Sequence, residues 1–118
     1  MFTVTIGELV GCIPTMRAIA QRTMNGATAI RIARLIREID KEVKSFEEIR
    51  NSLFRQYGEV IDDKQIRIAN DKQAQFNAEM NKALNEVVEI NAERLTANMI
   101  ETMQLTPVEV SSLLPFIE

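Results

Sequence analysis

Histidine and tryptophan are absent from this 118-residue chain, and cysteine occurs once, at Cys12. Those absences remove a histidine general base, a histidine metal ligand, a Cys/His zinc site and an intramolecular disulfide. The lone thiol sits in Leu9-Val10-Gly11-Cys12-Ile13. With no imidazole to activate it, these apolar neighbours predict a buried, inert side chain. No apolar run approaches the roughly 18 residues that span a bilayer, and the first residues lack the basic start and apolar core of a signal peptide. A soluble, cytoplasmic protein with no membrane partner is the expectation. Catalytic and cofactor motifs are also missing, so the chain reads as non-enzymatic and no cofactor is expected. Without repeats, linkers or low-complexity tracts, residues 1–118 read as a single domain.

Charge is distributed unevenly. Between Glu8 and Glu38 lie five arginines (Arg17, Arg22, Arg31, Arg34 and Arg37) and no acidic residue, whereas everything from Glu38 onward holds sixteen acidic against nine basic residues. One pole of an otherwise acidic protein is therefore cationic, and such separation points to an anionic ligand or partner.

Hydrophobic spacing predicts a mainly α protein with a small β element: a long amphipathic helix hairpin plus short antiparallel strands. Met1 to Thr5 reads as a short strand or arm. A helix follows from Ile6 through Leu9, Val10, Ile13, Met16 and Ala20, with Pro14 kinking or restarting it and Asn25-Gly26 ending it in a turn. Thr28 is the expected N-cap of the next helix. From Ala27 to about Tyr57, apolar residues recur at Ala29, Ile32, Ile36, Ile39, Val43, Phe46, Leu53 and Tyr57. These alternating steps of three and four define one buried helix face, interrupted only by Arg50 and widened by Leu35 and Ile49. About 30 helical residues span roughly 45 Å, whereas a compact chain of this length has a radius of gyration of about 13 to 14 Å. Such a helix overhangs a compact monomer, so the far half of its seam needs either the later helices of the same chain or a second copy; a homo-oligomer is expected, with Arg50 as a candidate for setting register across the interface.

Beyond Gly58, the expected helix stop, residues 60–68 read as a hairpin around Asp62-Asp63-Lys64. Asn70 and Gln73 suggest a capping box opening a third helix through Phe76, Met80 and Leu84. Val87 to Ile90 is a strand that can join that hairpin. A short turn of helix fits Thr96 to Glu101. Thr106-Pro107-Val108-Glu109 then opens a last helix with Val110, Leu113 and Leu114 as its apolar face, after which Phe116 and Ile117 close on the core.

In this order the chain resembles a family of short, uncharacterised proteins of tailed bacteriophages. The resemblance is carried by Ile6-Gly7-Glu8-Leu9-Val10, by Phe46-Glu47-Glu48-Ile49-Arg50 through Gln56-Tyr57-Gly58-Glu59, and by Phe76-Asn77-Ala78-Glu79. It continues in Glu86-Val87-Val88-Glu89-Ile90 and in Leu105-Thr106-Pro107-Val108-Glu109 to Phe116-Ile117-Glu118. It implies a phage protein acting in the host bacterial cytoplasm and carries no activity or site with it. Where the family has a lysine-rich and acidic region, this chain has Arg31, Arg34 and Arg37.

Two readings of the arginines are open. Arg31, Arg34 and Arg37 drift round the long helix as a broad strip, and with Arg17 and Arg22 on the preceding helix all five can face one end of the molecule. Guanidinium forks there suit phosphate, so a small anionic, nucleotide-type ligand fits. In the setting the resemblance implies, that ligand would be a host immune signal held between subunits. Alternatively the strip is a solvated face, or it docks acidic partners during virion assembly. Duplex DNA fits poorly, because the strip is short and the remainder is acidic and poor in aromatics. Glu38, Asp40, Glu42, Glu47 and Glu48 alternate with Lys41, Lys44 and Arg50 and read as surface ion pairs rather than a metal site. The methionines, including Met16, Met24, Met80, Met99 and Met103, read as core filler.

Overall fold

The computed structural model describes residues 1–62 and 65–118, with side chains described outside 59–66. The chain is mainly helical. It runs β1 (Phe2–Thr5), α1 (Ile6–Ala20), α2 (Gly26–Tyr57), β2 (Gly58–Asp62), β3 (Gln65–Ile68), α3 (Gln73–Leu84), β4 (Val87–Ile90), α4 (Ala97–Met103) and α5 (Pro107–Leu113), with short 3-10 turns at Asn70–Lys72 and Leu114–Phe116.

α1 begins where Thr5 and Glu8 form a reciprocal capping box: Glu8 N–H donates to Thr5 Oγ1 at 3.1 Å and Thr5 N–H to Glu8 Oε1 at 2.9 Å. The helix runs on through Pro14 without restarting and buries Ile6, Leu9, Cys12, Met16 and Ile19. Gly7 lies against the end of α3. A methyl group there would stand 3.3 Å from the Leu84 carbonyl oxygen, so glycine permits the close approach that lets Ile6 N–H reach Glu86 O at 2.9 Å.

Asn25, not Thr28, caps α2. Its Oδ1 accepts from Thr28 N–H at 2.9 Å, while Thr28 itself is buried. Asn25 is extended and no glycine has positive φ, so the expected turn is instead a cap. α2 buries Thr28, Ile32, Leu35, Ile39, Phe46 and Leu53, following the predicted seam with Leu35 taken fully inside. Ala29 and Ile49 are exposed, and Arg50 is half-buried. The helix stops at Gly58 as expected, but in an extended rather than left-handed conformation, because the chain continues directly into β2.

The two strands predicted as a hairpin pair antiparallel, with Gly58 opposite Ile68 and Val60 opposite Ile66; Asp63 and Lys64 of the predicted turn lie outside the described residues. β4 does not join it. It pairs antiparallel with β1, Phe2 opposite Ile90 and Val4 opposite Val88, leaving two separate two-stranded sheets. The Asn70/Gln73 capping box is also absent: a 3-10 turn precedes α3, and Gln73 Nε2 donates to Asn77 Oδ1 instead. α4 is capped by Thr96 and stops at Gln104, which takes the left-handed conformation at φ 53°. The Thr106/Glu109 capping box and the Pro107 start of α5 are as expected. Leu113 is buried, Leu114 is exposed, and Phe116 closes the core edge-to-face on Phe2 at 5.8 Å.

The buried residues form two groups. Phe2, Leu9, Ile19, Leu35, Ile90, Leu95, Leu113 and Phe116, with their neighbours, make the main core beside α1 and the first half of α2. Farther along α2, Phe54 and Tyr57 meet Phe76 of α3 at ring distances of 5.2 and 6.5 Å, next to buried Phe46 and Leu53. α3 therefore covers the far half of the long seam, as one of the two expected solutions required. The molecule is nonetheless long, 50 × 27 × 24 Å, with a radius of gyration of 16.9 Å. No helix among the described residues is long and apolar enough to cross a membrane. Met16 and Met103 are buried in the core, and Met24 and Met99 pack against it.

Cys12 lies wholly inside and donates its S–H to the Leu9 carbonyl at 3.0 Å. Burial pushes the thiol up to about 12 from its ordinary 9.0, so little thiolate exists at neutral pH. A disulfide reagent at pH 8 is expected to leave the folded protein unmodified and to titrate one thiol per chain after unfolding; rapid native-state labelling would contradict the packing.

Candidate anionic-ligand site

The five arginines share the half of the molecule built on the α1–α2 hairpin, but their side chains do not share a cleft. Arg17 is exposed beside a groove between α1 and α2, which it lines with Ile36 and Asp40. Arg22, just beyond α1, reaches α5 and pairs with Glu109 at 2.6 Å. Arg31, one turn and a half into α2, turns toward the segment after β4. Arg34 and Arg37 point to solvent and make no ion pair among the described residues. The convergence of all five is thus not met within one chain, because successive steps of three turn the side chains 60° about α2 and away from one another.

Arg22 serves the fold. Glu109 already closes the α5 capping box, and its carboxyl is held below its ordinary 4.5 first by the hydrogen bond from Thr106 N–H and then by Arg22, against partial desolvation. A carboxyl whose folded value is depressed contributes stability that is complete above the unfolded value and is lost as pH falls through the folded one. Glu109→Gln, which keeps the cap and loses the charge, is therefore expected to be less stable than the parent at pH 7. The difference should shrink below pH 4.5 in parallel thermal melts. A difference independent of pH would contradict the assignment.

Arg31 builds the most polar cleft at this pole. Its Nη2 lies 2.7 Å from Glu93 Oε2, and its Nη1 donates to the Arg94 carbonyl at 3.0 Å. A second arginine lines the same cleft: Arg94 lies 4.8 Å over the Phe2 ring and donates through Nε to Pro115 O at 3.4 Å. The backbone of this corner is fixed by Leu95 N–H to Phe116 O and Glu118 N–H to Leu95 O, both 2.8 Å. The result is a cleft of about 380 Å³ bounded by Phe2, Arg31, Glu93, Arg94, Thr96 and Glu118. That volume lies within the range of small-molecule sites.

The cleft is mixed in sign, with two guanidinium groups facing two carboxylates. The Glu93 side chain is 73% exposed against 28% for Arg31. An ion pair so open to water contributes about 0–1 kcal/mol, so an anion can replace Glu93 on Arg31 at small cost. Arg94 was not legible as a site residue: it is a single arginine in Asn91-Ala92-Glu93-Arg94, with no spacing pattern to mark it. Among the described residues no group of three or more acidic or cysteine side chains is placed to hold a metal ion. Glu38 and Lys41 form the expected surface ion pair at 2.9 Å.

No family model, curated protein or solved structure matches the chain.

Proposed function

We propose that this protein is a non-enzymatic binder that sequesters a small anionic, nucleotide-type molecule, and that it does so as a homo-oligomeric phage counter-defence protein inside the host cell. The observation that carries the reading is that Arg31 and Arg94 line one cleft, Arg31 coming from the acid-free stretch and Arg94 from a distant segment. Two guanidinium forks suit the oxygens of a phosphate ester or diphosphate. The facing carboxylates of Glu93 and Glu118 suit the amino groups of a base, so a nucleotide matches the mixed charge better than an inorganic anion does. Inert Cys12 and the lack of histidine agree with binding without chemistry. The phage and host setting, and the identity of the ligand as an immune signal, rest on the resemblance stated above.

Titration calorimetry with linear and cyclic nucleotides tests the reading. A ligand in this cleft is expected to bind about 10- to 100-fold more weakly to Arg31→Gln and to Arg94→Gln, from the loss of one charge-assisted hydrogen-bonded partner each. Arg34→Gln and Arg37→Gln, outside the cleft, are expected to bind as the parent does. Equal affinity in all four variants would overturn the assignment.

One observation favours a second reading, a virion assembly protein. Arg34, Arg37, Lys41 and Lys44 are all exposed along one side of α2 over about 15 Å of helix. Such a strip can dock an acidic protein surface. Co-purification with phage particles, lost on reversing these charges, would support it over sequestration.

A further inference from the structure

The α1–α2 hairpin presents a second feature, unconnected to the Arg31 cleft. Two clefts of about 220 and 140 Å³ lie along its outer side and share Ala20 and Ile36, forming one continuous groove between the helices. The walls are mostly apolar: Ile13, Ala20 and Met24 come from the α1 side, and Ala33 and Ile36 from α2. Ala20 and Ala33 are exposed, and Ile13, Met24 and Ile36 are only half-buried. Small side chains on both walls let another helix approach closely.

The charges of the groove identify the occupant. Arg22, which also lines the groove, is already paired with Glu109; Arg17 lies on the α1 wall and Asp40 on the α2 wall, both are exposed, and neither makes an ion pair among the described residues. We infer that this groove is the contact surface for a second copy of this chain. A two-fold axis running along the groove brings α1 of each protomer against α2 of the other. Arg17 then meets Asp40 of the other copy twice, while the apolar walls close into a four-helix layer. A two-fold interface requires a patch complementary to itself, and one unpaired cation facing one unpaired anion across an apolar groove meets that requirement. An unrelated helix would have to supply both charges in matching positions. The expected homo-oligomer thereby acquires a specific interface, and Arg17 a role in assembly rather than in ligand capture. The inference does not depend on the ligand reading and fails separately from it.

Charge reversal tests it through the mass measured by sedimentation at micromolar concentration. The parent is expected to be dimeric or a multiple of dimers. Arg17→Asp sets two carboxylates against each other at each contact, and Asp40→Arg sets two guanidinium groups. Either change is expected to weaken association about 100-fold or more. The two single variants, mixed, are expected to form a heterodimer in which every contact is again paired, and the double variant R17D/D40R is expected to self-associate as the parent does. Because both side chains are exposed, each variant should keep the circular dichroism and melting temperature of the folded chain. A monomeric parent, an oligomer indifferent to either reversal, or a mixture that stays monomeric would each overturn the inference.

Discussion

Phe116→Ala is expected to destabilise the protein by about 3–5 kcal/mol, the usual cost of emptying a phenylalanine site in a packed core. Phe116 is wholly buried although only two described residues follow it. Its ring meets Phe2 edge-to-face, and its carbonyl accepts from Leu95 N–H at 2.8 Å. The residue thus joins β1 through its ring and the segment after β4 through its backbone. Truncating the ring leaves a cavity beside Phe2 in the main core. With a urea slope of about 2 kcal/mol/M, the unfolding midpoint should fall by about 2 M with little change in slope. A loss below about 1 kcal/mol would mean that the C-terminal segment is laid on the core rather than built into it.

Phe76→Ala is expected to cost about as much locally but to act on a different part of the molecule. Phe76 is the only buried residue of α3, and its ring is the one that both Phe54 and Tyr57 touch. None of these residues belongs to the main core. Removing the ring should release α3 and the second half of α2 as a unit, while α1 stays packed against Ile32, Leu35 and Ile39. Amide hydrogen exchange is the direct readout. Protection is expected to fall across residues 46–57 and 73–84 and to persist across residues 9–19. Uniform loss over both regions would show that the two groups of buried residues unfold together.

The long helix was legible because its apolar steps of three and four are local and persistent, and the last helix because Thr106, Pro107 and Glu109 each satisfy a separate requirement of a helix start. Strand pairing was not legible. β4 carries the same apolar character toward either possible partner, and the pairing with β1 goes with a tertiary contact, the close approach of α1 to α3 at Gly7, that local pattern does not show. The Thr5/Glu8 capping box was available in the sequence and passed unused, because the preceding residues read as a strand. Asn25 and Thr28 are both competent caps. The burial of Thr28 in the structure settles which one faces the helix end.

The candidate site was legible only in part. A run of arginines without acids marks a cationic stretch of the sequence, since charge separation along the chain is a property of composition. Whether the side chains converge is a property of helical phase and of what each one meets. Arg22 meets Glu109 and Arg31 meets Glu93, both acids far away in sequence, and Arg94 enters from a segment with no cationic pattern.

The most direct test of the account is native mass spectrometry of protein released gently from cells. It should be done on the parent and on Arg31→Gln/Arg94→Gln, with folding of each checked by circular dichroism. The account expects the parent to carry an extra mass corresponding to a nucleotide-type molecule and the double variant, equally folded, to carry none. A parent that is free of ligand and acquires none from lysate, or a bound mass that survives in the double variant, would contradict it.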